Sequence, residues 1–403
     1  MKTFVAAFVL LAVAVPALCG QAIDDPGPHA VGWRDLSFVD TIHGQGTING
    51  RLYYPALSPG QNAAPDPAAG PYPLVGFQHG WLTPPSSYDL ICTHAASFGF
   101  VLASTGTETG LFPDHEQLAL DTRSFLAWVD AESADQASWL HAMAWSGDWA
   151  AFGHSMGGGA LALLIGVEPR IRTLIGLQSA SVSGPGAANM QAFTGNAVQV
   201  AGSVDWIVPP SMVRSWYDAS VNARRSAWFL VQGMCHFGCL DNPGTGDPLP
   251  AAEQARLHRR LVAGFLLAEV KNQEDWYHAL LGEGMAAEPV DRECRLMAPA
   301  FWAQESPYLS RHLTAGIGGL SADTAAILAS FLPGSTVTPY GELGLDPSSL
   351  FVLSIDTLDP AGLYELKVPV PLSAAGLTLF LQGGVLFNSG GGQLTRVVEL
   401  VLP

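Results

Sequence analysis

The chain has 403 residues and a formal net charge of −17, and no cluster of Lys or Arg interrupts its acidic character. An acidic surface repels phosphate backbones and anionic lipid head groups, so the composition argues against a nucleic-acid-binding protein. A chain of this length usually forms two domains, and an apolar content of 48% with 44 Gly and 29 Pro is typical of a globular, loop-rich protein.

The N-terminal residues 1–20 carry one Lys followed by an apolar run that ends in small residues. This pattern predicts a secretory signal peptide cleaved near Cys19 or Gly20. A membrane anchor is one alternative, but the run is short and no charged stop follows it. Lipoprotein processing at Cys19 is another, which the bulky Leu18 disfavours. We therefore expect a secreted, extracellular or periplasmic protein without stable membrane insertion.

The first predicted domain, residues 21–297, is an α/β unit in which short apolar runs alternate with helical patterns. Strands are predicted at residues 51–57, 73–80, 100–105, 148–155, 172–179, 197–203 and 227–233. Helices are predicted at residues 86–99, 114–130, 156–167 and 253–270, the first capped by Ser86 or Ser87 and the second by Asp114. This alternation predicts a mainly parallel sheet covered by helices on both faces.

The second predicted domain, residues 298–403, has a different pattern. Strand-like runs separated by Gly, Pro, Asn and Ser occupy residues 348–358, 362–370, 377–387 and 393–403. The one candidate helix is short and spans residues 321–331. These features indicate a small all-β, sandwich-like accessory domain.

The stretch GHSMG, residues 153–157, matches G-x-S-x-G between a predicted strand and a predicted helix. In this arrangement Ser155 sits on a strained turn with its hydroxyl exposed, and larger side chains in place of the glycines would collide with the strand or the helix. The alternative is a Gly-rich helix start with an incidental serine. The strand-to-helix context favours Ser155 as a nucleophile.

A serine hydroxyl needs a base to take its proton and an acid to orient that base. On sheets of this kind the partners follow the nucleophile in the order acid, then His. Asp205 and His236 each follow a predicted strand. The carboxyl ends of parallel strands form the edge of the sheet at which ligands bind. The rival acids are Asp218, which lies within a predicted helix, and Asp241, which follows the histidine. We therefore predict that Asp205 and His236 act with Ser155.

An ester or amide hydrolase also needs two backbone N–H groups directed at the developing negative oxygen. We predict that Met156, directly after the nucleophile, and Trp81, in the loop after the strand at residues 73–80, supply them. Trp81 also offers an apolar wall for an acyl pocket. His79 is interpreted as a side chain that braces this loop.

Four cysteines remain after signal-peptide cleavage: Cys92, Cys235, Cys239 and Cys294. In an oxidising compartment they suggest two disulfides, with three connectivities open. We expect these bonds to brace the loop that carries His236. A zinc site at residues 235–239 is the alternative, but zinc ligands usually come as two clustered pairs and the other two cysteines stand alone.

The sequences of residues 77–105, 153–160, 202–210 and 235–239 resemble those of α/β-hydrolases of the bacterial cutinase and polyester hydrolase branch. Dienelactone-hydrolase-like and platelet-activating-factor acetylhydrolase-like esterases are also similar, and the resemblance covers about residues 35–270. It implies an α/β-hydrolase fold, a Ser155–His236–Asp205 triad with Trp81 and Met156 as oxyanion donors, and hydrolysis of small or polymeric esters without a cofactor or metal.

The sequence departs from that family in two places. Polyester hydrolases of this branch carry a ring-clamping Trp where this chain has residues 178–181, QSAS, and the connector at residues 132–148 is longer and more apolar. Simple ester hydrolysis is therefore implied more directly than cleavage of aromatic polyesters. The C-terminal module resembles small β-domains that end many secreted bacterial proteins, which implies attachment to the cell surface or other proteins, sorting or stability.

Two other functions are alternatives for the same sequence. A peptidase or amidase would employ the same three residues and differ in the leaving group that it expels. A surface-binding protein with an inert hydrolase domain would make no use of them.

Overall fold

The computed structural model describes residues 23–244, 246–306 and 311–403. The predicted signal peptide at residues 1–20 lies outside the described residues. None of the helices within the described ranges is long and apolar enough to cross a bilayer.

Strands and helices alternate between residues 72 and 286 of the described chain, and strands dominate after them. The strands are β1 (Val31–Asp40), β2 (Gly46–Pro55), β3 (Gly60–Gln61), β4 (Tyr72–Gln78), β5 (Val101–Thr105), β6 (Ala144–His154), β7 (Ile171–Leu177), β8 (Asn196–Gly202), β9 (Arg225–Val231), β10 (Val290–Leu296), β11 (Ala300–Glu305), β12 (His312–Gly318), β13 (Thr324–Ser330), β14 (Pro333–Thr338), β15 (Gly341–Leu345), β16 (Phe351–Thr357), β17 (Leu363–Pro369), β18 (Thr378–Leu386) and β19 (Gly392–Val401). The helices are α1 (Asp89–Ser97), α2 (His115–Ala134), α3 (Met156–Val167), α4 (Gly186–Ala192), α5 (Pro210–Ala219), α6 (Ala251–Phe265), α7 (Tyr277–Leu280) and α8 (Glu283–Ala286).

A ten-stranded sheet forms the centre of the first region, in the order β10-β9-β8-β7-β6-β4-β5-β2-β1-β3. The strands from β5 through β4 and β6 to β9 run parallel, whereas β2 and β10 pair antiparallel at either side of them. Buried side chains of α1 and α6 pack on one face of the sheet, and those of α2 and α3 pack on the other. The predicted mainly parallel, doubly covered sheet is confirmed.

The predicted all-β character of the second region is confirmed, and its strands pair antiparallel. It contains a three-stranded sheet, β11-β12-β17, a four-stranded sheet, β16-β13-β18-β19, and the pair β14-β15. The two larger sheets share one apolar core, to which Phe301, Ile317, Ile327 and Leu381 contribute.

The prediction of a helix at residues 321–331 is wrong, because Thr324–Ser330 form β13. Alternate residues of this strand, Ala325, Ile327 and Ala329, are fully buried, which is the period-2 pattern of a sheet that covers a core on one face. The alanine-rich composition suggested a helix. Hydrogen-bonded pairing with β16 on one side and β18 on the other outweighs the intrinsic helix propensity of these residues.

One of the two predicted helix caps is confirmed. The Asp114 carboxylate accepts hydrogen bonds from the N–H groups of Glu116 and Gln117 at the start of α2. The cap predicted at Ser86 or Ser87 is wrong, because residues 85–88 form a 3-10 turn and α1 begins only at Asp89.

Candidate active site

Ser155 forms the junction between β6, which ends at His154, and α3, which begins at Met156. Its backbone has φ 54° and ψ −118°, a region that is unfavourable for a residue with a side chain. The turn is held by hydrogen bonds from Ser155 N–H to Leu177 O at 2.9 Å and from Ala180 N–H to Ser155 O at 2.9 Å. Bonds to the neighbouring strand and its following loop thus maintain the strained conformation that presents the hydroxyl.

Glycine is required at two positions of this turn by the closeness of the neighbouring backbone. A Cβ on Gly157 would lie 2.1 Å from the carbonyl oxygen of Gln78, and one on Gly159 would lie 2.1 Å from the carbonyl oxygen of Ala180. Both distances are too short for any side chain. Gly157 therefore brings the start of α3 against the end of β4 and the loop that follows it, and Gly159 brings it against the loop after β7.

The structure brings the three predicted residues into one hydrogen-bonded chain. The His236 Nε2 lies 2.9 Å from Ser155 Oγ, and its Nδ1 lies 2.8 Å from Asp205 Oδ2. Asp205 follows β8 and His236 follows β9, so two adjacent parallel strands deliver the acid and the base to the edge where Ser155 sits. All three residues are buried, with 4–9% of their surface exposed.

The Asp205 carboxylate is fixed on both of its oxygens. Oδ1 accepts hydrogen bonds from the N–H groups of Ile207 at 2.9 Å and Val208 at 2.8 Å, while Oδ2 faces His236. This carboxylate therefore cannot rotate without breaking two backbone bonds, and its orientation selects the His236 tautomer that carries a proton on Nδ1.

The rival acids lie elsewhere. The Asp218 carboxylate is exposed and pairs with Arg214 at 2.9 Å on the surface of α5. The Asp241 carboxylate accepts a hydrogen bond from Leu90 N–H at 3.0 Å at the start of α1. Neither has His236 among its hydrogen-bond partners.

The two predicted oxyanion donors flank the Ser155 turn. Met156 is the first residue of α3, so its N–H has no carbonyl one turn earlier within the helix to bind. Trp81 follows β4 in the loop that the glycine turn contacts, and no acceptor within the described ranges takes up its backbone N–H. The Trp81 indole is 54% exposed and donates to Leu111 O at 3.2 Å. Both backbone groups are thus free to bind an incoming oxygen.

His79 has contacts that agree with its interpretation as a brace. Its Nδ1 lies 2.8 Å from the carbonyl oxygen of Gly80 and its Nε2 lies 2.7 Å from the carbonyl oxygen of Thr107. These contacts join the loop after β4 to the loop after β5.

Sequence reasoning missed Tyr88 and His154, which link the loop after β4 (residues 79–84, the oxyanion loop) to the loop after β9 (residues 232–241, the histidine loop). The Gly80 N–H lies 2.9 Å from Tyr88 Oη, which in turn lies 2.8 Å from His154 Nδ1. The His154 Nε2 lies 2.9 Å from the carbonyl oxygen of His236. The one signal in the sequence is that His154 occupies the variable position before the serine in GHSMG.

The predicted disulfides are absent among the described residues, and this prediction is wrong. Cys92, Cys235, Cys239 and Cys294 are all buried, unpaired thiols. Burial raises the pKa of the Cys239 thiol well above its ordinary value, so it stays protonated. Burial and the neighbouring Asp247 carboxylate raise the pKa of Cys235 to about 11. The thiols serve as small buried side chains, which the inference from an oxidising compartment did not anticipate.

Hydrogen bonds brace the histidine loop instead. The Gln254 side chain, which is fully buried on α6, accepts from Cys235 N–H at 3.0 Å and donates to Leu249 O at 2.8 Å. Gly238 packs so closely on this amide that a Cβ there would lie 2.4 Å from Gln254 Oε1. On the far side of the loop, Asp241 N–H donates to Ser87 O at 2.9 Å.

The zinc alternative finds no support in the described part of the chain. No group of three or more His, Cys, Asp or Glu side chains there is arranged to hold a metal ion. The His236 imidazole has its two nitrogens directed at a hydroxyl and a carboxylate.

The stretch at residues 178–181, which the resemblance matches to the aromatic clamp of polyester hydrolases, begins with a buried amide. Gln178 follows β7, has φ 44°, and places its Nε2 2.9 Å from His258 Nε2. Apolar side chains are nevertheless exposed on the loops around Ser155. This apolar rim consists of Trp81, Leu111, Phe112, Trp206 and Phe237. The Phe237 ring stands edge-on to His236 with centroids 5.3 Å apart.

Comparison with models of known protein families gave no match, and comparison with curated proteins gave none either.

Proposed function

We propose that the protein is a secreted serine carboxylic-ester hydrolase of the α/β-hydrolase type, which forms an acyl-enzyme on Ser155. The observation that carries the proposal is the hydrogen-bonded chain from Ser155 through His236 to Asp205, placed on a strained strand-to-helix turn. A hydroxyl, an imidazole and a carboxylate in this order activate the hydroxyl as a nucleophile.

In the first half of the reaction, Ser155 Oγ attacks the ester carbonyl while His236 Nε2 accepts the hydroxyl proton. The resulting imidazolium is stabilised by the Asp205 carboxylate, 2.8 Å from Nδ1. The backbone N–H groups of Met156 and Trp81 stabilise the negative oxygen of the tetrahedral intermediate. Collapse of the intermediate breaks the ester C–O bond, and the departing alkoxide takes the proton from His236 Nε2.

In the second half, water attacks the acyl group on Ser155 and His236 Nε2 accepts a proton from it. The second tetrahedral intermediate expels Ser155 Oγ, which recovers the proton from His236. The carboxylic acid leaves, and the side chains return to their starting protonation states.

The apolar rim supports an ester with an apolar acyl or alcohol group as the substrate. Its members lie on loops that follow β4, β5, β8 and β9, at the same edge of the sheet as Ser155. Phe112 is 96% exposed and Trp206 is 82% exposed, so these rings can contact a substrate without rearranging the core.

The proposal is tested with p-nitrophenyl esters of increasing acyl length and with a peptide p-nitroanilide. We expect hydrolysis of the esters, and loss of it in Ser155→Ala. Ser181→Ala removes an exposed hydroxyl beyond the turn and is the matched control, with activity retained. Hydrolysis of the anilide but not the esters would favour a peptidase or amidase. Equal activity of wild type and Ser155→Ala would contradict the mechanism and leave an inert surface-binding protein as the better account.

Export is supported by the sequence of residues 1–20 alone. N-terminal sequencing of protein recovered from outside the producing cells should find cleavage near residue 20. An uncleaved N-terminus on intracellular protein would contradict export.

For the antiparallel region at residues 298–403 we retain attachment to a cell surface or another protein, sorting or stability as its role. Deletion of this region separates these roles by its effects on binding, secretion and thermal stability.

A further inference from the structure

Three hydrogen bonds connect the oxyanion loop, the turn of Ser155 and the histidine loop in sequence. They run from Gly80 N to Tyr88 Oη at 2.9 Å, from Tyr88 Oη to His154 Nδ1 at 2.8 Å, and from His154 Nε2 to His236 O at 2.9 Å. Tyr88 is fully buried and His154 is 2% exposed, so solvent does not compete for these contacts. Tyr88 therefore joins the oxyanion loop to His154 at the Ser155 turn, and His154 joins that turn to the histidine loop.

The chemistry of the end groups fixes the direction of every bond. The Gly80 N–H can only donate, so the Tyr88 oxygen accepts there and directs its own proton to His154 Nδ1. The His236 carbonyl can only accept, so His154 carries its proton on Nε2. The contacts are satisfied only by this one tautomer of His154.

His154 is held in the neutral form that such a chain requires. Burial lowers the pKa of His154 well below its ordinary value, and the His236 ring, with centroids 4.8 Å apart, adds to this because two imidazolium ions would repel each other. A neutral imidazole has one donor and one acceptor, and the donor is needed at the His236 carbonyl.

We propose that Tyr88 is a positioning residue whose hydroxyl, which accepts from Gly80 N–H and donates to His154 Nδ1, holds the oxyanion loop and the histidine loop in register with Ser155. This inference rests on the proposed function for its consequence in catalysis. Its structural part, the connection of Gly80 to His154 through the Tyr88 hydroxyl, stands on the contacts alone.

Loss of the Tyr88 hydroxyl has two consequences. The Gly80 N–H loses its buried acceptor, and His154 Nδ1 loses its donor. Because the His236 carbonyl still requires the proton of His154 on Nε2, the Nδ1 lone pair stays buried without a partner. The loop that holds Gly80 and the strand end that holds His154 are then no longer connected through Tyr88 and shift relative to Ser155. A small displacement of a reacting group is sufficient to lower a rate by about a hundredfold.

Tyr88→Phe is the informative variant because it keeps the ring that packs on Phe77, with centroids 4.7 Å apart. Tyr54→Phe is the matched control: Tyr54 is fully buried and its hydroxyl donates to Ala63 O at 2.8 Å, a contact that does not involve the site. We expect kcat for an ester to fall by about 10- to 100-fold in Tyr88→Phe with KM unchanged, and no fall in Tyr54→Phe. Unchanged kcat in Tyr88→Phe beside an active wild type would overturn the inference.

A double-mutant cycle separates positioning from general loss of stability. His154→Gln removes the imidazole Nδ1 that accepts from Tyr88 Oη and the Nε2–H that donates to the His236 carbonyl. Adding Tyr88→Phe to this variant should lower kcat by less than the same change does in the wild type. Equal losses in both backgrounds would show that Tyr88 does not act through His154.

A spectroscopic readout distinguishes failure of this inference from failure of the proposed function. In protein labelled with 15N at histidine, the wild type should show His154 with Nε2 protonated and Nδ1 free, its signal identified by its loss in His154→Gln. In Tyr88→Phe the proton should stay on Nε2, and the Nδ1 signal should move downfield because this nitrogen loses its hydrogen-bond donor. An unchanged Nδ1 signal in Tyr88→Phe would contradict the inference whether or not the protein hydrolyses esters, whereas an inactive wild type would count against the proposed function only.

Discussion

His236 Nε2 lies 2.9 Å from Ser155 Oγ, although 81 residues separate the two along the chain. The parallel sheet explains this meeting, because β6 and β9 end at the same edge and deliver the turn of Ser155 and the loop of His236 together. The strained backbone of Ser155 then directs its hydroxyl out of the helix start and toward the imidazole.

Asp205 should be required to orient His236 rather than merely to stabilise the fold. Asp205→Asn keeps the acceptor oxygen for Ile207 and Val208 but presents an amide N–H to His236 Nδ1, which favours the wrong tautomer. We expect kcat for an ester to fall by about 10⁴-fold, the size of the effect known for the corresponding change in serine proteases.

Asp218→Asn is the control for this change, since it removes a surface carboxylate paired with Arg214. We expect its kcat to match the wild type. A large loss in Asp218→Asn together with a small loss in Asp205→Asn would reverse the assignment of the acid.

Reducing agents should have no effect on this protein. The four cysteines of the described chain are buried thiols, so dithiothreitol has no bond to break there. We expect unchanged kcat and thermal midpoint after treatment. Ellman's reagent should titrate the thiols of residues 92, 235, 239 and 294 only after unfolding in guanidinium, and a deficit of thiols in the unfolded, unreduced protein would restore the disulfide prediction.

Gln254 should be the side chain that keeps the histidine loop in place. Gln254→Met has similar size but leaves the N–H of Cys235 and the carbonyl of Leu249 without this partner. A buried group left unpaired costs about 1–3 kcal/mol, so we expect a lower thermal midpoint together with a reduced kcat. Gln191→Met, at an exposed position, is the control and should change neither quantity. Normal kcat in Gln254→Met would show that the loop is held by other contacts.

Asp40 should stabilise the fold in a pH-dependent manner. Burial opposes its ionisation, but the N–H groups of His43, Gln45 and Ile42 and the Ser124 hydroxyl outweigh this and lower the pKa to about 2. Because this pKa lies below that of an unfolded Asp, about 3.9, the stabilisation is complete above pH 4–5 and is lost as the pH falls toward 2.

The measurement is the thermal midpoint of Asp40→Asn and wild type at pH 7 and at pH 3. We expect the variant to melt about 2–6 °C lower at pH 7, with the difference shrinking at pH 3. A difference that stays constant or grows on acidification would contradict a depressed pKa at Asp40.

The elements and the site differ in how well the sequence predicts them. The Ser155 turn was predictable because the G-x-S-x-G motif specifies a strained strand-to-helix turn. Asp205 and His236 were placed beside it correctly because each follows the end of a strand and they come in the expected order along the chain. Strand β13 was mistaken for a helix because its alanines favour a helix locally, whereas the strands with which it pairs lie far along the chain.

The contacts that brace the site were harder to predict than the site itself. The disulfide prediction followed from an assumed compartment and cysteine spacing, neither of which reports whether thiols face each other. The Tyr88–His154 contact spans 66 residues and the His154–His236 contact spans 82, and neither residue belongs to a motif that specifies its partner. Only the folded arrangement of the sheet brings these side chains together.

The most direct test of the central claim is labelling of the intact protein with a fluorophosphonate, followed by peptide mapping. We predict a single modified site, Ser155, with no labelling of Ser155→Ala and reduced labelling rates in Asp205→Asn. Modification of a different serine, or ester hydrolysis that persists in Ser155→Ala, would contradict the account.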